Sequence, residues 1–295
     1  MQPRVVVLHR PTEWDDLLAA QGTPGQAEFF LAQRGQRLAE VNAVHARQQS
    51  ALEAVDHAIP PSWRRCRIGR DELCRFLFEP DDVVVAVGQD GLAVNAARYL
   101  EGQPLIGVNP DTRRYDGVLA RHPPAAAADL VRDAAAGRAR LERRTMVEAR
   151  TSDGQRLRAL NEIFVGHERH QSARYTLTYT GRAERQSSSG LIVSTGTGLT
   201  GWARSIQLSA GGPPAVFQPD SAQLLFLVRE PFPSVSTGTE LRRGVLEPGM
   251  ALTVKGEMNT GGTVFGDGIE EDRLALPWGE VVSISRSEAV FSLVA

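Results

Sequence analysis

An α/β domain followed by a β-rich, antiparallel domain is the fold this sequence predicts. Three features predict it. Short β-branched runs alternate with helical patterns up to about residue 140, the rhythm of a parallel sheet with crossover helices. Beyond that point turn signals become frequent and helical periodicity scarce, as in antiparallel strands joined by hairpins. The first half is condensed in Asp81 to Leu92, where two carboxylates, the apolar run Val83 to Val87 and the turn Gly88-Gln89-Asp90-Gly91 follow one another. That run is too short for a helix and rich in valine, so it reads as a buried parallel strand. A chain of 295 residues is long enough for two such domains.

Taken in order, Arg4 to Leu8 is a buried-type strand, a reading preferred over a signal peptide. Thr12 to Ala20 is helical with Thr12 as N-cap. Gly22 to Gly25 breaks it, and a long helical pattern runs from Gln26 to Ile59, with one break possible at Gly35 and a stop at Pro60-Pro61. A short strand at Arg65 to Ile68 and a short helix at Asp71 to Phe78 lead to the Val83–Val87 strand. A helix from Leu92 to Leu100 and a strand from Pro104 to Val108 complete a Rossmann-like domain over residues 1–140.

The second domain, residues 141–295, begins where an Ala- and Arg-rich helix over 125–150 leads into a strand. The last residues are expected to pack back on the first domain. Strands are expected at 145–151, 156–165, 172–179, 190–194, 223–228, 251–254, 262–265 and 281–284, with a hairpin at Asp153-Gly154 and a helix from Trp202 to Leu208. Arg138, Arg140, Arg143 and Arg144 at the junction read as a solvated face.

Composition removes several function classes. A net charge of −2 asks for neither nucleic acid nor an anionic membrane. No apolar run approaches the ~18 residues of a membrane span. Cys66 and Cys74 suit a reducing cytoplasm rather than a disulfide scaffold. Lys255 is the only lysine, so the P-loop lysine is missing and a nucleotide must be held by another device.

Four stretches can carry chemistry. In Gly88-Gln89-Asp90-Gly91-Leu92 the glycines permit unusual backbone geometry. The position, after a buried strand and before a helix, is where α/β sheets bind phosphates. Asp90 there can accept a proton from a hydroxyl or hold Mg²⁺. In Leu160-Asn161-Glu162-Ile163 a polar pair interrupts an apolar strand; it suits a ribose or a base edge, and equally a strand end at the surface. Ser187 to Trp202 is a strand running into a Gly/Thr-rich loop that offers N–H groups and hydroxyls to an anionic or sugar ligand. Gly266-Asp267-Gly268 is a further acid-bearing turn, or an ordinary hairpin. His167 and His170 have metal-like spacing, but two residues are not a site.

These four stretches, in this order, resemble the NAD kinase family, whose motifs are a GGDGT turn after a strand, an Asn-Glu pair, a Gly/Thr-rich loop and a late D-G turn. The resemblance runs from about residue 80 to the end. It looks closest to the branch containing the animal mitochondrial enzyme, through Ile106-Gly107-Val108-Asn109 with Asp111, Arg113 and Gly117, through Ser188-Ser189-Gly190, Thr195-Gly196-Thr197-Gly198 and Arg229-Glu230-Pro231. It implies ATP-dependent phosphorylation of the adenosine-ribose 2′-hydroxyl of NAD, with a divalent metal (Mg or Mn), in a homo-oligomer of at least two copies. It implies an active site between the two domains. Asp90 matches the catalytic acid, Gly88, Gln89 and Gly91 the phosphate- and ATP-binding turn, and Asn161 and Glu162 the NAD-binding pair. Thr195, Thr197, Thr200 and Gly201 fall in the dinucleotide-binding loop. Gln89 replaces the second glycine of the motif and Leu92 its final threonine. Those departures leave two alternatives open: a kinase for a sugar, polyol or nucleoside, or a dinucleotide-binding protein with weak turnover.

Overall fold

The computed structural model describes residues 3–211 and 213–295. It contains two compact units, one made of residues up to Glu142 together with Ser292–Ala295, the other of Arg143–Phe291. The expected fold class, an α/β sheet domain and a separate antiparallel domain, is what is found.

The first unit opens with β1 (Arg4–His9), α1 (Glu13–Gln21), α2 (Pro24–Ala32) and α3 (Leu38–Ala58). Thr12 caps α1, its backbone N–H and hydroxyl both donating to the Asp15 carboxylate at 2.7 Å. The long helical pattern is two helices, not one. Gly35, at φ 68°, turns the chain between α2 and α3. β2 (Arg64–Gly69) follows. The helix expected over 71–78 is a single 3₁₀ segment, Arg70–Arg75. Then come β3 (Val83–Val87), α4 (Asp90–Ala97), β4 (Pro104–Val108) and α5 (Ala127–Ala135). Gly137 at φ 67° ends α5, so the helix expected to reach residue 150 stops early and its remainder joins a strand.

The strands of this unit lie in the order β2-β1-β3-β4, all parallel. Ser292 and Leu293 add a fifth parallel segment by pairing with Pro104 and Leu105. Val5, Val7, Val83, Val85, Val87 and Ile106 form a core with Ala51, Leu52 and Val55 of α3 and Val131 of α5. Alternation sends Val6, Leu8, Val84 and Ala86 to the opposite face. α4 packs against β3 and β4.

The second unit contains β5 (Leu141–Thr151, from Arg143), β6 (Arg156–Ala159), β7 (Glu162–His167), β8 (Ala173–Tyr179), β9 (Arg182–Ser188) and β10 (Leu191–Ser194). After α6 (Trp202–Ala210) come β11 (Leu224–Val228), β12 (Arg243–Leu246), β13 (Ala251–Gly256), β14 (Gly262–Gly266), β15 (Ile269–Ala275) and β16 (Val281–Val294, as far as Phe291). One antiparallel sheet runs β12-β11-β10-β7-β14-β15; β13, β8, β9 and the first part of β16 make another, with β5 and β6 paired beside it. Inward residues of both, among them Ile163, Val165, Leu177, Val193, Phe226, Val254 and Ile284, form one core.

Two departures from the expected strands, and one from the expected surface, have local causes. The strand expected over 156–165 is β6 and β7 in different sheets, broken at Leu160-Asn161. β9 and β15 arise from two-residue turns with positive φ at both positions, Thr180-Gly181 (48° and 78°) and Asp267-Gly268 (55° and 70°), the geometry that matches strand twist. Arg144 is buried and donates to the Thr197 hydroxyl at 3.5 Å, so it does not belong to the solvated face assigned to the cluster. Among the described residues, no helix is long and apolar enough to cross a membrane.

One glycine ties the sheet to the turn that follows it. A Cβ on Gly107 of β4 would stand 2.1 Å from the Leu119 carbonyl oxygen and 2.7 Å from Ala120 Cα. Gly107→Ala should therefore push the 118–120 segment off the sheet and cost about 1–3 kcal/mol, read as a lowered urea midpoint. An unchanged midpoint would show that the segment is free to move.

Candidate functional site

The first group of candidate residues lies at the carboxyl end of β3. Every residue of β3 is buried. Its last carbonyl, that of Val87, accepts from Gln48 Nε2 at 2.8 Å, and the Gly88 N–H donates to the Val108 carbonyl at 2.9 Å. These bonds fix where the turn leaves the sheet. α4 begins at Asp90, two residues before the expected start, with Gln89 as N-cap. Asp90 thus occupies the first helical turn, where a carboxylate is favoured by the helix dipole.

The Asp90 carboxylate is fully oriented. Oδ2 accepts from the Val118 N–H at 3.0 Å, and Oδ1 accepts from Leu119 at 2.9 Å and Ala120 at 2.8 Å. A carboxylate offers about four lone-pair directions. Three are used, which leaves room on Oδ2 for one more donor. The segment it holds is shaped by Asn109, whose Nδ2 donates to the Tyr115 carbonyl and whose Oδ1 accepts from the Asp111 N–H. Gly117, at φ 67°, closes the turn.

The two departures from the glycine-rich motif go separate ways. Leu92 is buried, and a Cβ on Gly88 would meet its Cδ2 at 3.3 Å. The leucine packs under the turn, inside the fold. Gln89 is half-buried, and its Oε1 accepts from an Arg10 guanidinium at 3.4 Å. Gly91 is exposed, and a Cβ there would meet nothing within 4 Å.

The second group lies at the start of β7. Asp267, in the β14–β15 turn, accepts from three consecutive N–H groups: Leu160 at 2.8 Å, Asn161 at 2.7 Å and Glu162 at 3.3 Å. Its own N–H donates to the Glu162 carbonyl at 3.0 Å. This is the physical reason β6 and β7 separate: the backbone there bonds to a side chain instead of a ladder. Sequence reasoning flagged the turn but not its partner.

Glu162 is buried beside Ser194, its register partner in β10. Among the described hydrogen bonds none involves its carboxyl, and none involves the half-buried Asn161 amide. Burial, with the Asp267 charge adding to it, pushes the Glu162 carboxyl up to about 8. Near neutral pH it holds a proton, so it can donate as well as accept.

The Gly/Thr-rich loop is seated against this pair. The Thr195 N–H donates to the Asn161 carbonyl at 2.9 Å; its hydroxyl donates to the Leu160 carbonyl at 2.6 Å and accepts from the Gly198 N–H at 3.2 Å. Thr195 is wholly buried, so its hydroxyl is committed inside the fold. A Cβ on Gly196 would lie 2.0 Å from the Gln218 carbonyl, and one on Gly198 2.2 Å from that of Asn161. Thr197 is buried and accepts from Arg144; the Thr200 hydroxyl donates to the Thr197 carbonyl at 3.0 Å. Thr200 and Gly201 are exposed. The structure thus brings Asn161, Glu162, Thr195 and Thr197 together in the second unit, and Gly88, Gln89, Asp90 and Gly91 together in the first.

Among the described residues, no group of three or more His, Cys, Asp or Glu side chains comes together to hold a metal ion. His167 Nδ1 accepts from the Arg169 N–H at 3.0 Å.

No protein-family profile matches the chain. It is similar to the NAD kinase of Chlorobaculum tepidum, 26% identical over 249 residues that cover 82% of each chain. Its fold is that of yeast NADH kinase, solved in complex with NADH, with a TM-score of 0.63, 16% identity, and coverage of 100% of this chain and 84% of that one. It is also that of an NAD kinase from Archaeoglobus fulgidus, solved in complex with ATP, with a TM-score of 0.61, 21% identity, and coverage of 99% and 93%.

The raised Glu162 carboxyl has a consequence for stability. Below the ordinary carboxylate value of 4.5 both folded and unfolded chains hold the proton; between 4.5 and about 8 only the folded chain does. Folding stability therefore falls across that window by about 1.4 kcal/mol per pH unit from this group. Glu162→Gln should remove the fall, so that the variant gains on the parent as pH rises from 5 to 8 in urea titrations. Parallel pH profiles would show that the carboxyl titrates normally.

Proposed function

We propose that this chain is a kinase that transfers the terminal phosphoryl group of ATP to the adenosine-ribose 2′-hydroxyl of NAD, giving NADP and ADP. The observation that carries the reading is Asp90: an acid at the carboxyl end of a buried parallel strand, oriented by three N–H groups, with one acceptor direction unused. The similarity to NAD kinases supplies the substrate class, and the ATP complex of the Archaeoglobus enzyme supports the donor.

The hydroxyl oxygen attacks the terminal phosphorus as the bond to the bridging oxygen breaks, and Asp90 takes the hydroxyl proton on Oδ2. Phosphoryl transfer depends mainly on positioning and charge stabilisation. Asp90 supplies positioning, because its carboxylate cannot rotate without breaking three hydrogen bonds. The turn supplies charge stabilisation through the backbone N–H groups that open α4. Asn161 and Glu162 bind the acceptor, their uncommitted amide and carboxyl groups meeting sugar hydroxyls. Thr195 and Thr197 act behind them by holding the loop, whereas Thr200 and Gly201 face solvent and can touch the dinucleotide.

No protein cage for a divalent ion is built by the described residues. Mg²⁺ commonly binds through one or two carboxylates, water and substrate phosphates; Mg²⁺ or Mn²⁺ bound to the donor's phosphates would neutralise charge developing there. The family resemblance also supports a homo-oligomer, nearest the branch with the animal mitochondrial enzyme through Ser188-Ser189-Gly190 and Arg229-Glu230-Pro231, and the free Cys66 and Cys74 suit a reducing cytoplasm.

A coupled NADP assay tests the reading. Purified protein with ATP, Mg²⁺ and NAD should form NADP, and Asp90→Asn should lower kcat by about 10²-fold or more. Calorimetry should show NAD affinity retained, which separates loss of the base from collapse of the 118–120 segment. Full activity in Asp90→Asn would remove Asp90 from the chemistry. ADP release with a sugar, polyol or nucleoside but not with NAD would move the acceptor.

A further inference from the structure

A cleft of about 120 Å³ lies at the carboxyl ends of β1, β3 and β4. The kinase reading puts the donor's phosphates at the Gly88–Gly91 turn beside it; we propose that Arg10 and Arg114 are the cations that meet them from this cleft and that Gln89 positions Arg10. This deepens the kinase reading and rests on it.

The place comes from topology. In the order β2-β1-β3-β4, the chain leaves β1 toward β2 on one side, while β3 lies on the other. The loops after β1 and β3 therefore diverge, and the crevice between them is the binding position of open α/β sheets. Arg10 directly follows β1, and Gln89 sits one residue past Gly88 at the end of β3. Both line the cleft, together with Arg47, Arg114, Asp111 and Glu13.

The charges select an anion. Arg47 and Asp111 answer each other at 2.7 Å. That leaves two guanidiniums, Arg10 and Arg114, against the single carboxylate of Glu13. Arg114 lies 5.7 Å from the Tyr115 ring centroid. The polar contact described for Arg10 is the one to Gln89. Guanidinium forks suit phosphate oxygens, and the N–H groups of the first turn of α4 open beside Gln89.

This gives Gln89 a role that glycine cannot fill. An arginine following a strand is long and mobile, and ordering it costs side-chain entropy. Gln89 Oε1 accepts from the guanidinium at 3.4 Å, and Gln89 directly precedes Asp90 in the turn.

Steady-state kinetics with ATP and NAD varied separately test the proposal. Arg10→Ala should raise the KM for ATP by about tenfold or more and leave that for NAD unchanged, with Arg10→Lys recovering part of the loss. Gln89→Ala should raise the KM for ATP in the parent but add nothing in an Arg10→Ala background. Inorganic tripolyphosphate should compete with ATP and not with NAD. An unchanged KM for ATP in Arg10→Ala overturns the assignment, additive effects overturn the role of Gln89, and failure of tripolyphosphate to compete overturns the phosphate ligand. If the parent forms no NADP, the kinase reading fails and calorimetry still decides the cleft. Binding of ATP or tripolyphosphate that Arg10→Ala abolishes upholds the cleft, and absent or unaltered binding overturns it.

Discussion

A buried backbone N–H must find an acceptor, and in this chain two aspartates each supply one for three consecutive residues. Asp90 takes the N–H groups of Val118, Leu119 and Ala120, and Asp267 those of Leu160, Asn161 and Glu162. In both cases the segment has left a ladder and has no strand partner to satisfy it. One short carboxylate replaces a run of sheet hydrogen bonds, and the backbone is free to take a non-repeating course. The candidate site residues lie on or beside these two segments. The same chemistry therefore ends regular structure and creates the irregular surface that a ligand needs.

Glycine sets the second condition, close approach. Gly107 lets the 118–120 segment lie on β4, and Gly196 and Gly198 let the Gly/Thr-rich loop lie against Gln218 and Asn161. In each case a Cβ would enter a carbonyl oxygen. The loop hydroxyls then turn inward, as Thr195 does toward Leu160. A Thr-rich loop that looks from sequence like a row of donors for a ligand is, in good part, a row of internal fasteners.

The sheet, the turn and the position of Asp90 were legible because they depend on near neighbours. Five apolar residues followed by Gly-x-Asp-Gly specify a strand end and a helix start with no long-range information. The break at Leu160-Asn161 was not legible, because its cause is an aspartate about a hundred residues away. β15 was missed for a related reason: Asp267-Gly268 is an ordinary hairpin turn as well as an acid-bearing one, and here it is both. Arg144 reads as one member of a basic surface run, yet it is buried against Thr197 of the Gly/Thr-rich loop while Arg143 stays exposed. Arg10, two residues past the strand read over Arg4 to Leu8, carries no signal of its own in the sequence. Its value appears once β1 and β3 are known to be neighbours.

The substitutions in the glycine motif can now be separated by where their side chains go. A residue at the third position of a helix faces either the ligand or the sheet, and Leu92 faces the sheet, with 2% of its surface exposed. The hydroxyl that a threonine would carry there is replaced by packing beneath Gly88, which stiffens the turn without narrowing it. Gln89 is the N-cap and its side chain makes no capping bond to the helix; it lines the cleft and meets Arg10 there. A chain with a single lysine, placed in β13, must meet phosphate with arginine. Arginine binds oxygen pairs well only when its fork is held in plane, and a neighbouring amide oxygen is a direct way to hold it. Gln89 and Arg10 are on this argument one device, and loss of the second glycine is the condition under which an arginine can take over work that backbone alone would otherwise do.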